Sequence, residues 1–165
     1  MRDELFQVRD AVDNDYKAIW VSFYQVVQAG DTYPFAPDTN KQEAYALWMT
    51  SPNQTYVAIL DAKTVGTYYI RPNQPGQGAH VANAGFMVYP DFQDRGVGRT
   101  MGFHAIDVAR EAGFKGMQFN MVVSTNLRAV ALWQALGFTI AGTIPDGFNH
   151  PGQGFVNTYI MYRKL

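Results

Sequence analysis

A glycine-rich turn between a strand and a helix constrains this chain more than any other feature. The turn covers 93–98 and has glycines at 96 and 98, between a predicted strand at 80–89 and a predicted helix at 99–112. Glycines in such a turn let successive backbone N–H groups converge beside the positive end of the helix dipole. The pattern alone is compatible with a phosphate site and also with a tight turn that binds nothing.

Two better-known phosphate loops are excluded by the residues that follow the turn. A Walker loop requires Gly-Lys followed by Ser or Thr, whereas Gly98 is followed by Arg99. A dinucleotide-binding fingerprint requires a third glycine three positions after Gly98, where Met101 stands.

The remaining patterns predict one mixed α/β domain over residues 1–165, a length that fits a single core. An apolar stripe predicts a first helix capped by Asp13, and Thr39 with Gln42 predicts a capping box for a second. Alternation and composition predict the other strands, a fourth helix at 126–136 and a long loop at 145–154. The stripe consists of Tyr16, Ile19, Trp20, Phe23 and Val27, and the strands of 5–9, 54–60, 65–71, 117–123, 138–144 and 155–163.

Charge and cysteine content exclude several classes of function. The 13 basic and 14 acidic side chains give a net charge of −1, so no nucleic-acid or membrane partner is expected. The chain has no cysteine, and its three histidines show no metal-ligand spacing, so we expect no metal. The charged N-terminus and the absence of an apolar stretch of about 20 residues predict a soluble cytoplasmic protein.

Two segments, in the expected order, resemble the signatures of the GNAT superfamily of N-acetyltransferases. Residues 93–98, Gln-Asp-Arg-Gly-Val-Gly, are similar to its acetyl-CoA loop, Q/R-x-x-G-x-G/A, and are preceded by the usual aromatic residue and proline at 89–90. Residues 126–138 are similar to the second signature, N-x-x-A-x-x-L-[YW]-x-x-L-G-F. The resemblance implies the GNAT fold, a mixed, mostly antiparallel sheet of about seven strands splayed in a V, with about four helices.

The resemblance also implies a binding mode for acetyl-CoA as co-substrate. Backbone groups of Phe86, Met87 and Val88 are expected to meet the pantetheine arm, and Asn126 to lie near the thioester sulfur. The pyrophosphate is expected on the turn and the start of the helix, formed by Gln93, Asp94, Arg95, Gly96, Val97, Gly98, Arg99 and Thr100.

The sequence departs from the family in its acid–base residues. Many GNAT enzymes carry a glutamate on the strand before the loop, but 80–88 contains no carboxylate. They place a tyrosine acid beside the cofactor where this chain has Trp133, whose indole N–H cannot supply a proton at neutral pH. Asn126 is then the expected catalytic residue, as a donor to the departing thiolate. A helix N-cap is the alternative role for Asn126.

At a finer level the chain resembles the fungal and bacterial N-acetyltransferases that act on azetidine-2-carboxylate and other proline analogues. The shared sequence motifs are Asn-Ala-Gly-Phe at 83–86, Phe-Asn-x-Val at 119–122 and Thr-Asn at 125–126. The resemblance implies that Asn83 and the backbone at Asn120 and Met121 bind a small-molecule amine.

Several alternatives stay open at this point. Tyr33 and Phe35 are expected in the acceptor wall, or equally as a lid on the core, and His150 is the one plausible spare base. The acceptor could be another amine, such as phosphinothricin, a polyamine or a protein N-terminus. A CoA-binding module without catalysis, and a homodimer as well as a monomer, also fit the sequence.

Overall fold

The computed structural model describes residues 6–165 and folds them into seven strands and four helices. The strands are β1 (Phe6–Asp10), β2 (Gln54–Leu60), β3 (Lys63–Pro72), β4 (Val81–Val88), β5 (Gly116–Val123), β6 (Thr139–His150) and β7 (Gly154–Lys164). The helices are α1 (Tyr16–Ala29), α2 (Lys41–Met49), α3 (Val97–Glu111) and α4 (Leu127–Ala135). Leu5, predicted to begin the first strand, lies outside the described residues. No helix in the described part of the chain has both the length and the hydropathy to cross a membrane.

The strands form one sheet in the order β1-β2-β3-β4-β5-β7-β6. Five of its six pairings are antiparallel, and the β4–β5 pair alone is parallel. A parallel pair needs a crossover connection, which α3 supplies between β4 and β5. The predicted mixed, mostly antiparallel GNAT fold is therefore confirmed.

Two apolar clusters, one on each face of the sheet, form the core. Alternation along β3 sends Tyr68 and Ile70 to the face covered by α3 and α4, and Tyr69 to the face covered by α1 and α2. The α1 stripe is buried as predicted at four of its five positions, and Trp20 is half-buried. The helices thus form a layer on each side of the sheet, and side chains of the strands point toward both layers.

The N-terminus of α1 differs from the prediction that Asp13 caps it. A 3-10 turn at Asp13–Asp15 precedes the helix, and the Asp13 carboxylate accepts a hydrogen bond from the Tyr45 hydroxyl at 2.8 Å. Asp15 accepts the Val12 N–H at 2.8 Å and pairs with Arg9 at 2.7 Å. That pair holds the pKa of the Asp15 carboxyl below its usual value, chiefly through the hydrogen bond from Arg9.

The capping box of α2 lies one residue later than predicted. Asn40 is the N-cap, because its side-chain oxygen accepts the N–H groups of Gln42 and Glu43, while Glu43 accepts the Asn40 N–H. Thr39 cannot serve as the cap because its hydroxyl donates to Ala36 O at 2.6 Å in the preceding loop. The prediction of a capping box was correct in kind, but the path of the loop places it one residue further along the chain.

Replacing Asn40 with alanine is expected to lower the free energy of unfolding by about 1 kcal/mol, the usual cost of a lost N-cap. For a chain of this size, that corresponds to a fall in melting temperature of about 2–4 °C. Thr39→Ala is the matched control, and its effect should be smaller. A thermal melt in which Thr39→Ala is the more damaging change would contradict the assignment.

The predicted loop at 145–154 is wrong, because most of it is strand. β6 continues to His150 and pairs with β7 through Phe148↔Val156 and Asn149↔Phe155, which leaves a short turn at 151–153. A register shift between Ile144 and Phe148 accommodates Pro145 and Gly147. β6 is an edge strand, where proline is tolerated because one side of the strand needs no ladder hydrogen bonds.

Candidate active site

The centre of the site is a wedge between β4 and β5. Their parallel ladder begins at Val81↔Gly116 and ends at Asn83↔Gln118, although β4 continues to Val88 and β5 to Val123. Beyond Asn83 the two strands no longer pair. The sheet therefore opens at its middle and presents strand backbone on both sides of the gap.

The direction of the β4 backbone decides which of its groups face the wedge. Tyr89 N–H donates to Val65 O on β3 at 2.9 Å. The backbone N–H and C=O groups of odd-numbered β4 residues therefore point toward β3, and those of even-numbered residues point toward β5. Phe86 and Val88 thus point their backbone groups into the wedge, where Phe86 O already accepts the Tyr33 hydroxyl at 2.8 Å. Met87 pairs with β3, and its side chain is buried in the α1 and α2 cluster.

The glycine-rich turn follows β4 and leads into α3, which begins at Val97, two residues earlier than predicted. Asp94 and Gly96 have φ of 60° and 77°, the left-handed conformation that reverses the chain here. The N–H groups of Val97, Gly98 and Arg99 have no hydrogen-bond partner within 6–165, since the first N–H groups of a helix lack one inside it. Thr100 N–H, by contrast, is bonded to Gly96 O at 3.0 Å.

Three arginines surround this turn. Arg128 at the start of α4 donates to the Gln93 side chain at 2.6 Å and pairs with Asp94 at 3.2 Å. Arg95 and Arg99 lie over the rings of Phe92 and Phe103, at 5.3 and 5.5 Å from their centroids. Free N–H groups, the helix dipole and these cations together favour an anionic ligand such as a diphosphate.

Close packing of α3 on α4 places the second glycine at the mouth of the wedge. A Cβ at Gly98 would lie 3.2 Å from Leu132 Cδ2 and 3.5 Å from Val88 Cγ2. A Cβ at Gly102, one turn later, would lie 2.5 Å from Leu136 Cδ1. These two glycines let the helices approach, while a Cβ at Gly96 would meet nothing within 4 Å.

Trp133 lies between the two splayed strands on the α4 side. Its ring lies 4.8 Å from that of Phe86 on β4 and 4.6 Å from that of Phe119 on β5. The side chain is buried, and within the described residues its indole N–H has no hydrogen-bond partner. The tryptophan therefore lines the inner end of the wedge with an aromatic wall.

Asn126 is the N-cap of α4, as its alternative role required. Its side-chain oxygen accepts Ala129 N–H at 3.2 Å, and its own backbone N–H donates to Val123 O at 2.9 Å. Both contacts fix the orientation of the amide just after β5. They leave the Nδ2 group, the donor half of the amide, without a partner in the described structure.

The opposite mouth of the wedge, on the α1 and α2 face, carries a chain of amides. Asn83 is buried, and its Nδ2 donates to Gln118 O at 3.0 Å across the last pair of the β4–β5 ladder. Gln118 donates to the Asn120 side chain at 2.9 Å, and Asn120 donates to that of Asn73 at 2.8 Å. We call these four residues the amide cluster.

A β-bulge at Asn120 and Met121 interrupts the ladder beside this cluster. The register passes from Phe119↔Met161 to Val122↔Tyr159, so two residues of β5 face the single residue Ile160 of β7. A bulge leaves backbone groups out of the ladder and bends the strand. Backbone contacts to a ligand at these two positions have a structural basis here.

Tyr33 and Phe35 pack on the core, as one of their two expected roles requires. Both are half-buried and pack in the α1 and α2 cluster, stacked on each other at 5.4 Å, with Phe35 stacked on Phe23 at 5.2 Å. The Tyr33 hydroxyl nevertheless reaches Phe86 O at the wedge. Burial raises the pKa of Tyr33 well above its ordinary value, so this hydroxyl stays a neutral donor.

His150 and His104 are held in contacts away from the wedge. His150 ends β6, where its Nδ1 accepts Gly152 N–H at 3.0 Å in the hairpin turn. His104 in α3 contacts the Tyr68 hydroxyl at 2.5 Å, and burial lowers its pKa. Within residues 6–165, no group of three or more metal-ligating side chains is positioned to hold an ion.

Sequence reasoning missed three polar residues that the structure places at the site, Arg128, Gln118 and Arg71. Arg128 directly follows the second signature's first two residues, which is a local signal that could have been used. Gln118 and Arg71 become neighbours of Asn83 only through strand pairing, at Asn83↔Gln118 and Arg71↔Asn83. The register of two paired strands cannot be predicted from the sequence of either strand alone.

Comparison with known proteins identifies the family of this chain. The model of the acetyltransferase (GNAT) family matches residues 15–138. The N-acetyltransferase aca1 of Schizosaccharomyces pombe is 34% identical over 151 residues, which cover 81% of this chain and 72% of that protein.

Two solved structures share the fold. A GCN5-related N-acetyltransferase from Kribbella flavida superimposes with a TM-score of 0.94 at 46% identity, covering 97% of this chain and 98% of that one. A phosphinothricin acetyltransferase from Sinorhizobium meliloti, solved in complex with acetyl-CoA, has a TM-score of 0.83 at 20% identity, covering 97% and 88%. The chain therefore belongs to the acetyltransferase (GNAT) family and is an acetyl-CoA-dependent N-acetyltransferase.

Proposed function

We propose that this enzyme acetylates the amine of a small molecule, and that a cyclic amino acid such as a proline analogue is the acceptor. The observation that carries the proposal is the wedge with two different mouths. Groups suited to a diphosphate lie at the turn into α3, and the amide cluster lies at the α1 and α2 face. A cofactor and an acceptor can then meet from opposite sides of the sheet.

The residues at the first mouth would hold acetyl-CoA, which supplies the acetyl group as a thioester. The N–H groups of 97–99 and the nearby arginines would bind its diphosphate. Phe86 and Val88, whose backbone faces the wedge, are better oriented for the pantetheine arm than Met87. Gln93 and Asp94 would contribute indirectly, because their side chains hold Arg128 beside the turn. Thr100 would contribute by closing the first turn of α3 through its N–H.

At the second mouth, we assign Asn83 and the bulged backbone of Asn120 and Met121 to the acceptor. Tyr33 and Phe35 would form the apolar wall beside them, which suits a small ring better than a long chain. Asn126 would direct its Nδ2 donor at the sulfur, where negative charge develops as the thiolate leaves.

The proposal is tested by thiol release from acetyl-CoA with a panel of amines. The panel should contain L-azetidine-2-carboxylate, L-proline, a linear amino acid, phosphinothricin, spermidine and a peptide with a free N-terminus. We expect the cyclic amino acids to have the highest kcat/KM. A clear preference for spermidine or the peptide would contradict the acceptor assignment.

Replacing Asn83 with alanine is expected to raise the acceptor KM about 10-fold, since one hydrogen bond of about 1.4 kcal/mol is lost. The contact is made in the ground state, so kcat should change less. Asn83 Nδ2 also holds Gln118 O, so the melting temperature and the acetyl-CoA KM must be measured on the same variant. An effect confined to kcat would show that Asn83 acts in the chemical step instead.

A further inference from the structure

Arg71 occupies the acceptor mouth of the wedge although no sequence signature marks it. It lies on β3 directly opposite Asn83 on β4, so both side chains leave the sheet on the α1 and α2 face. Opposed residues of an antiparallel pair have Cβ atoms about 4.5–5.5 Å apart. Arg71 and Asn83 are thus close enough to bind two groups of one small molecule.

A rigid aromatic platform supports the guanidinium. Arg71 Cζ lies over the Tyr69 ring, 5.4 Å from its centroid. The Tyr69 ring lies across Gly85, since a Cβ at that glycine would be 2.7 Å from Tyr69 Cε1. Tyr69 is buried, and its ring packs edge-on against that of Trp48 with 4.9 Å between the centroids. This packing fixes the position of the ring beneath the guanidinium.

Arg71 is half-buried, and its guanidinium has no anionic partner among residues 6–165. The arginines at 9, 110 and 128 each pair with an aspartate, but Arg71 makes neither an ion pair nor a side-chain hydrogen bond in the described structure. The residue directly opposite it, Asn83 of the amide cluster, carries no charge. A cation withdrawn from water is stabilised when an anion pairs with it, and a ligand can supply that anion.

We infer that Arg71 binds a carboxylate of the acceptor, beside the amine that Asn83 positions. The inference rests on the proposed function and narrows it to acceptors that carry a negative charge close to the amine, as α-amino acids do. A planar guanidinium can form two parallel hydrogen bonds with a carboxylate, which would fix the ring of a cyclic amino acid relative to the wedge. A polyamine would bring further positive charge to Arg71 and is disfavoured.

The test crosses two variants with two acceptors that differ in one charge. L-azetidine-2-carboxylate and L-azetidine-2-carboxamide are assayed by thiol release with the wild-type enzyme and with Arg71→Gln. We expect Arg71→Gln to raise the KM for the carboxylate about 10- to 100-fold, as for a lost hydrogen bond to a charged group. The KM for the carboxamide should change less than twofold, and Arg71→Lys should recover part of the loss.

Arg110→Gln, which removes an arginine from the surface of α3, is the matched control and should leave the KM values for both acceptors unchanged. Equal KM values for the two acceptors with the wild-type enzyme, or an equal effect of Arg71→Gln on both, would overturn the inference while acetyl transfer stands. If no amine is acetylated, the proposed function fails, and calorimetric titration of L-azetidine-2-carboxylate into the CoA-loaded enzyme decides about Arg71. Binding that is lost in Arg71→Gln supports the inference, and absence of binding to the wild type overturns it.

Discussion

Replacing Asn126 with alanine is expected to lower kcat on the order of 100-fold, or roughly 2.7 kcal/mol, as for other donors to developing negative charge. The amide is held by Ala129 N–H on its oxygen and by its backbone bond to Val123 O, and its Nδ2 has no partner in the described structure. Under the proposed function Nδ2 faces the sulfur, and such a contact strengthens as the sulfur becomes negative. The loss should therefore appear in kcat rather than in either substrate KM, measured by steady-state kinetics.

The same change removes an N-cap, so stability has to be separated from catalysis. The lost cap should cost about 1 kcal/mol of unfolding free energy. Asn126→Asp and Asn126→Ser keep a capping oxygen but remove the amide donor, and aspartate adds a negative charge beside the thiolate. Asn40→Ala is the control for a lost cap elsewhere, with full kcat expected. If Asn126→Asp restores both the melting temperature and turnover, Asn126 is a cap alone.

Replacing Gly98 with valine should raise the acetyl-CoA KM about 100-fold, the loss of one or two charge-assisted hydrogen bonds of about 1.5–3 kcal/mol each. The added side chain would enter the space between Leu132 and Val88, where the turn meets the wedge. It would also keep a diphosphate from the N–H groups of 97–99. Acetyl-CoA KM and the dissociation constant of CoA are the quantities to measure.

Overpacking of α3 against α4 is a second consequence of Gly98→Val, and it costs about 1–3 kcal/mol of stability. Leu132→Ala vacates the space that the new side chain would fill, so the double variant should regain part of the melting temperature. If the acetyl-CoA KM also returns to the wild-type value in the double variant, the effect is one of helix packing and the diphosphate assignment is wrong. A KM that stays high supports it.

The features that the sequence predicted correctly depend on neighbours along the chain. The turn between a strand and a helix and the α1 stripe are local patterns with fixed spacing. The two GNAT signatures are also continuous segments, so they identified the family, and they supplied the hypothesis of a diphosphate site at the glycine-rich turn. Asn126 was recognised as a cap from its position at the start of the predicted helix, and as a candidate donor from the resemblance to the second signature.

Contacts outside the predicted patterns decided the rest. Thr39 was predicted as the cap of α2, but its hydroxyl is bonded to Ala36 O in the preceding loop, and Asn40 is the cap instead. Pro145 and Gly147 predicted a loop, but pairing with β7 outweighed their local preference and extended β6 to His150. For β6, the free energy of pairing with another strand exceeds the small differences in local propensity.

The acceptor site shows this limit most clearly. The sequence predicted Asn83 and the segment 120–121 from a resemblance, yet only strand register places Arg71 opposite Asn83 and Gln118 beside it. The bulge that frees Asn120 and Met121 likewise exists only relative to β7. The sequence by itself determined the family, the glycine turn and the cap at α4, because these depend on adjacent residues. The tertiary structure alone decided which side chains share the wedge, because residues far apart in the chain become neighbours only when the sheet forms.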